Sequence, residues 1–438
     1  MTKPTGNLRR RVLITDGEAR AALAACRALR SSGYEVDAVA SEGPAAVHWS
    51  RSCSRRLWAP DPRADRGAFV DSLSEFLARR RYDLLLPASD AALLAISEDR
   101  DRLSQLVTLG LPAHEAVLRC LSKAAAFEDS AATQLAAPRT VACRTLDEAR
   151  KAVTEIGFPL VVKPWMSARP QGMGLHQRSS RRVSSESKLA ATIEDFGMPI
   201  LVQPCLGGPV HSLGGVVTDQ GLVAAAHSRY VRTWPPDAGN VSCSVSLPVP
   251  AQLREAAATL LDRLGFRGIF ELELMEKPDG NLGLIDLNPR VYGSLELAVH
   301  AGASLPAIWC DSLLEGPVVS EIRDARAGVW YRWEDADVRY ALRRLRSGRV
   351  RDVAPVLRPR RGTAHAFFRL SDPGPLFARV ISAVRGRRQS RRQNHQPRPG
   401  AEDKTPAAGP APGAEDKTPA AGPAPSAEDK TPTAGSAL

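Results

Sequence analysis

At 438 residues, 43% hydrophobic and 24% charged, the chain is long enough for two or three domains and has the make-up of a soluble globular protein. No apolar run approaches a membrane span, and the opening MTKPTGNLRRRVLIT lacks a signal-peptide core, so a cytoplasmic protein is expected. Of the net charge of +11, much is local, with seven Arg and no acid between Ala378 and Gly400, which argues against a nucleic-acid-binding face; the seven cysteines lack CxxC spacing, which argues against a zinc site and a disulfide framework.

In chain order, RRVLIT, an amphipathic helix ending near Gly33, and a second strand over 35–40 lead to the helix SLSEFLARRRY and the apolar strand DLLLPASD. Strand, helix, strand at this spacing means a parallel sheet with crossover helices, a doubly wound α/β domain over 1–115. From 116 to 316 short helices alternate with hairpin-like strands, an α+β texture. A C-terminal extension over 317–384, rich in Arg and Trp, follows. Residues 385–438 carry a basic run and then AEDKTPAAGPAP repeated with a period of 13. These units hold too little apolar surface to offset ordering entropy, so a disordered tail is expected.

The segment ELELMEKPDGNLGLIDLNPR (271–290) concentrates the chemistry. If Asp279-Gly280 closes a two-residue hairpin, Pro278 faces Asn281, Glu273 faces Asp286 and Glu271 faces Asn288. Like charges directly opposite destabilise a strand pair unless something sits between them. Glu273, Asp286 and Asn288 share one face, and Leu272, Leu274, Ile285 and Leu287 the other. Two carboxylates and an amide suit Mg²⁺ (or Mn²⁺), which takes its remaining ligands from water and phosphate.

IDLNPRVYGS resembles the strand-end motif of the ATP-grasp ligases, and the resemblance covers roughly 12–316. It implies an ATP-grasp fold, two α+β subdomains clamping ATP, with Glu273, Asp286 and Asn288 holding Mg²⁺ between ATP phosphates and Arg290 facing the γ-phosphate and an acyl phosphate. By the same resemblance, Lys163 in GFPLVVKP and Lys123 in LSKAAAF reach the α- and β-phosphates. Gly172 and Gly174 of ARPQGMG belong to a flap over the phosphates. Backbone groups near Gln203 and Leu206 bind the adenine edge, and His211 contacts the ribose. Arg229 and Arg232 become candidates for an anionic substrate. Pro204 stands where many relatives have Glu, and the flap keeps only two glycines.

The pattern looks most like the carbamoyl-phosphate-synthase-like, carboxylate–amine ligase branch. That branch implies ATP- and Mg²⁺-dependent activation of a carboxylate as an acyl phosphate, attacked by an amine with release of ADP. Two alternatives stand beside it: a biotin-carboxylase-like enzyme activating bicarbonate, and a non-catalytic ATP-binding sensor. Partners would be small-molecule carboxylates and amines. Residues 376–392 read as a solvated linker or as an amphipathic helix touching an anionic membrane or acidic partner. Oligomeric state is not legible.

Overall fold

The structure is a computed structural model that describes residues 10–236, 239–316, 322–358 and 360–393. The alternating pattern of the first 115 residues folds as read. Strands β1 (Arg11–Ile14), β2 (Glu35–Ala40), β3 (Arg55–Trp58), β4 (Leu84–Leu86) and β5 (Thr108–Leu109) form a parallel sheet in the order β3-β2-β1-β4-β5. Successive residues of β1 point to opposite faces, so Val12 and Ile14 enter one core and Leu13 another, and all three are fully buried. The strand order turns outward on either side of β1 and β4, which makes the gap beyond their carboxyl ends a topological switch point. The loops there carry Thr15–Arg20 and Ala88–Asp90, and Ser89 caps the helix Asp90–Glu98 by accepting from the Ala92 N–H at 3.0 Å.

Two further sheets follow. β6 (Val141–Cys143), β7 (Leu160–Pro164), β10 (Arg181–Val183) and β11 (Ile200–Pro204) form an antiparallel sheet in the order β10-β7-β11-β6. Between β7 and β10 the chain makes the separate hairpin of β8 (Ala168–Gln171) and β9 (Gly174–Gln177). β12 (Val210–Thr218), β13 (Gly221–Trp234), β14 (Asn240–Leu247), β15 (Gly268–Glu276) and β16 (Leu282–Asn288) belong to a seven-stranded sheet. Leu272, Leu274, Leu284 and Leu287 of its hairpin share a core with Ala257, Leu260 and Leu261 of the helix Ala251–Arg263, as the alternation requires.

The extension is built into this frame. Its strands β17 (Trp330–Arg332) and β18 (Ala364–His365) complete the seven-stranded sheet by pairing β17 with β14. Arg27, on the helix Arg20–Ser31, ties it to the first domain through Asp372 at 2.9 Å and the Phe367 carbonyl at 3.0 Å. Residues 317–321, where the extension was expected to begin, lie outside the described residues. The tail expected from 385 starts as the end of the helix Gly374–Gln393, and its repeats, 394–438, lie outside the described residues. Among the described residues no helix is long and apolar enough to cross a membrane.

One carboxyl in this joint sets a pH dependence. Glu296 is buried, its Oε1 accepts from Arg369 at 3.2 Å, and its Oε2 has no partner among the described residues. Burial raises it from the usual 4.5 to about 7. The folded state therefore binds this proton more tightly than the unfolded chain, and stability is lost as pH rises from 4.5 through 7. Glu296→Gln should remove a decline of about 2–3 kcal/mol between roughly pH 5 and 8, read by urea denaturation at both values. An unchanged slope in the variant would assign the decline to other groups.

Candidate active site

The acid-bearing hairpin reaches its expected pairing by a different route. Its loop is one residue longer than a two-residue turn: Glu276 pairs with Leu282, the Lys277 N–H donates to the Asn281 carbonyl at 2.9 Å, and Pro278 does not face Asn281. Gly280 takes φ 80°, the left-handed position that closes a three-residue loop. A bulge at Ile285 then shifts the register back by one residue, so Glu273 does face Asp286 and Glu271 faces Asn288. Ile285 thereby leaves the Leu face to which the alternation assigned it, and its carbonyl accepts from Lys163 Nζ at 2.5 Å.

Lys163 reaches this point from the end of β7, and Lys123 from the start of the helix Lys123–Ser130, where it ion-pairs with Asp286. Both lysines are buried. Burial lowers Lys163 to about 8, against the pull of Asp286. Burial alone would raise Asp286, but Lys123 and Lys163 outweigh it and hold the carboxyl below its usual range. Glu273 goes the other way: burial, and then Glu271 and Asp286, carry it to about 8.

Glu271 is the residue the sequence reading passed over. It is buried and accepts from Ser212 Oγ at 2.8 Å, Ser294 Oγ at 3.0 Å and Asn288 Nδ2 at 3.0 Å. That fixes the Asn288 amide, whose oxygen then accepts from Arg290 Nη2 at 3.1 Å. Arg290 Nε donates to Asp90 at 2.6 Å, across to the first domain's switch point. The pairing of Glu271 with Asn288 was legible; that Ser212 and Ser294 would converge on the same carboxylate was not, because they come from separate elements.

A cleft of about 330 Å³ opens here, lined by Glu271, Glu273, Asn288 and Arg290 on one side, Glu18, Arg20 and Ser89 on another, and Trp333, Phe367 and Arg379 of the extension. Arg229 and Arg232 do not line it. Arg229 is exposed on β13, and Arg232 is held at 2.7 Å by the buried Asp337, which Arg332 also grips at 2.7 Å. The Arg232 charge is paired with an interior acid.

The flap glycines also have a different reason here. Gly174 lies so close to the Arg63 carbonyl that a Cβ would sit 2.1 Å from it, and the Met173 carbonyl accepts from the Arg66 N–H at 2.9 Å. The hairpin β8–β9 is latched to the first domain, with Ala168 and Leu175 in that domain's core. Gly172 supplies the left-handed turn residue, φ 59°. Gln203 is buried in β11 and its side-chain Nε2 donates to Thr140 Oγ1 at 2.7 Å; Leu206 follows, half-buried. His211 is an interior residue, with Nδ1 3.0 Å from His227 Nε2, and burial, His227 and Arg229 lower it to about 4.

No group of three or more His, Cys, Asp and Glu arranged to hold a metal occurs among the described residues. Two facing carboxylates with an amide are nevertheless a sufficient protein share for Mg²⁺ accompanied by phosphate; Lys123 and Lys163 already offset part of their charge, and Glu273 is raised first by burial and then by Glu271 and Asp286.

Residues 197–336 match the family described as ATP-grasp in the biosynthetic pathway with Ter operon. Over these residues the chain is similar to the ATP-grasp family. Among sequence relatives, a formate-dependent phosphoribosylglycinamide formyltransferase of Ignicoccus hospitalis is 23% identical over 63% of the chain and 77% of the relative. A D-alanine--D-alanine ligase of Ectopseudomonas mendocina is 26% identical over 35% of the chain and 50% of that protein. The chain spans about half the length of the first curated relatives it matches. In fold it is similar to the biotin carboxylase domain of Hydrogenobacter thermophilus 2-oxoglutarate carboxylase, a structure with MgADP and bicarbonate, at TM-score 0.54 and 15% identity over 74% of each chain.

Proposed function

We propose that this chain is an ADP-forming ligase that activates a small-molecule carboxylate with ATP and joins it to an amine. One observation carries the reading. Glu273, Asn288 and Arg290 line the cleft; Asp286 faces Glu273 and pairs with Lys123, Lys163 donates to the neighbouring Ile285 carbonyl, and Arg290 bridges to the switch point of the first domain, where small molecules enter such sheets.

In this reading a substrate carboxylate oxygen bonds to the γ-phosphorus of ATP while the bond from that phosphorus to the β,γ-bridging oxygen breaks, leaving ADP. The amine nitrogen then attacks the acyl carbon, phosphate departs, and the nitrogen loses its proton. Glu273, Asp286 and Asn288 would hold Mg²⁺, which supplies charge neutralisation to the nucleotide phosphates when bound. Lys123 and Lys163, already fixed by Asp286 and the Ile285 carbonyl, present cations to the phosphates without reorganising. Arg290, oriented by Asp90 and Asn288, does the same for the transferring group. Backbone groups near Gln203 and Leu206 would meet the adenine edge and His211 the ribose, while Gly172 and Gly174 cover the phosphates only after the hairpin leaves Arg63.

The test is ADP formation by the full chain with MgATP against a grid of carboxylates and amines, bicarbonate included, with mass spectrometry of the product. Turnover needing both partners supports the ligase. Turnover with bicarbonate alone would point to the biotin-carboxylase-like chemistry, and nucleotide binding without turnover in any combination to a sensor.

The same chain is proposed to touch an anionic surface through residues 376–392. Phe377, Val380 and Val384 are exposed at 58%, 54% and 46%, spaced as one stripe of the helix Gly374–Gln393, and the sequence runs on from Arg385 into a basic stretch. Co-sedimentation with vesicles containing about a third anionic lipid is expected, and Phe377→Glu with Val380→Glu should abolish it. Equal binding to neutral vesicles would contradict the proposal.

A further inference from the structure

Resting on the ligase reading, we propose that Arg20 is the anion-binding residue of the substrate subsite, and that the substrate pair carries a second anionic group, carboxylate or phosphate, besides the carboxylate being activated. Each nitrogen of Arg290 already has a protein partner, which orients it for the transferring group: Nε has Asp90 at 2.6 Å, Nη1 the Val291 carbonyl at 2.9 Å and Nη2 Asn288 at 3.1 Å. Arg379 is turned to Asp335, with Nε at 2.9 Å and Nη2 at 2.6 Å. Arg20 is different. Its Nε donates to the Gly293 carbonyl at 2.8 Å, and its guanidinium carbon lies 3.7 Å from the centre of the Trp333 ring. Its two terminal nitrogens have no protein partner among the described residues, and the side chain borders the cleft.

The position is fixed. A Cβ at Gly293 would lie 2.5 Å from Nη2 of Arg20, so the guanidinium rests directly on this glycine, and Trp333 covers the opposite face. A guanidinium clamped between a backbone and an indole cannot swing to the reacting end, and its idle donors form the planar fork that binds carboxylate or phosphate through two hydrogen bonds. Pre-ordering also lowers the entropy cost of that contact. Phe367 and Val241, both buried, supply apolar wall beside it. Arg20 precedes residues 197–336 and Phe367 follows them, so the subsite joins Val241, Gly293 and Trp333 of the family match to two residues outside it.

The test titrates the full chain, saturated with Mg²⁺ and a non-hydrolysable ATP analogue, with acetate, succinate, L-glutamate and glycerol 3-phosphate by calorimetry. Binding is expected for succinate, L-glutamate or glycerol 3-phosphate and not for acetate; the first two against the last distinguish carboxylate from phosphate. Arg20→Gln should weaken that binding by about ten- to a hundredfold with analogue affinity unchanged, Arg20→Lys should recover part of it, and Trp333→Leu should weaken it by less. Acetate binding as well as the others, no binding of any of the four to the nucleotide-loaded chain, or an Arg20→Gln variant that binds like the parent would each overturn the assignment. Failure of the analogue itself to bind would instead strike the ligase reading, and analogue binding by the variants reports that they fold.

Discussion

Asp286→Asn is expected to lower turnover by about a hundred- to a thousandfold, the scale seen when one fixed electrostatic group is removed from a reacting centre. Lys123 and Lys163 hold this carboxyl ionised at neutral pH, so asparagine removes a full negative charge at nearly constant shape. Two consequences should appear together. The Mg²⁺ concentration needed for half-maximal turnover rises, because one of two facing carboxylates is gone. Lys123 also loses its counter-ion, so nucleotide affinity measured without metal should increase, as an unpaired cation is left for the phosphates. A variant with parental turnover and an unchanged Mg²⁺ requirement would remove Asp286 from the ion site. Asn288→Ala provides a contrast: it frees Arg290 Nη2 and Glu271 Oε2 together, so its loss should be less dependent on Mg²⁺ concentration.

The register of this hairpin shows where sequence reading succeeds and where it stops. Counting outward from Asp279-Gly280 places Glu273 opposite Asp286, and the structure has that pair, but only because a loop longer by one residue is offset by a bulge at Ile285. The bulge carries the carbonyl that accepts from Lys163 of β7, a partner that local pattern does not contain. In the doubly wound domain β1 and β4 were legible as short apolar runs, RVLI and LLL, whereas β3, RRLW, and the two-residue β5 carry no such signal. The ion pair of Arg232 was not legible for the opposite reason. Its partner Asp337 lies 105 residues away in the extension, so a lone pair of arginines looked available for a ligand. Arg20 was overlooked within a helix whose spacing explained the residue adequately as a polar-face position, and only the fold brings it between Gly293 and Trp333. The extension itself shows Arg and Trp in its composition, but nothing in that composition reveals that Phe367 and Arg379 would border the cleft.

Asp372→Ala should cost about 3–5 kcal/mol of unfolding free energy, the range for breaking a buried ion pair by removing one partner. Arg27 is 1% exposed and its Nη1 already lacks a partner, so without Asp372 its charge would be held in the interior by two backbone carbonyls alone. Asp372 also accepts from Ser50 Oγ at 2.7 Å and from the Arg51 N–H at 2.9 Å. Burial opposes ionisation of this carboxyl, but Ser50, Arg51 and Arg27 together hold it below the usual range. Its contribution is therefore present above its unfolded pKa and lost as pH falls through the folded value, opposite in sign to that of Glu296. Urea denaturation of Asp372→Ala against Arg27→Met with Asp372→Ala separates the causes. The double variant should recover the part due to the stranded guanidinium and retain the part due to Ser50 and Arg51. Equal losses in the single and double variants would show that the hydrogen bonds, not the charge, secure the joint. Because the same Arg27 also holds the Phe367 carbonyl, loosening it should shift the apolar wall of the cleft, so the single variant should weaken binding at the Arg20 subsite while leaving nucleotide affinity near the parental value.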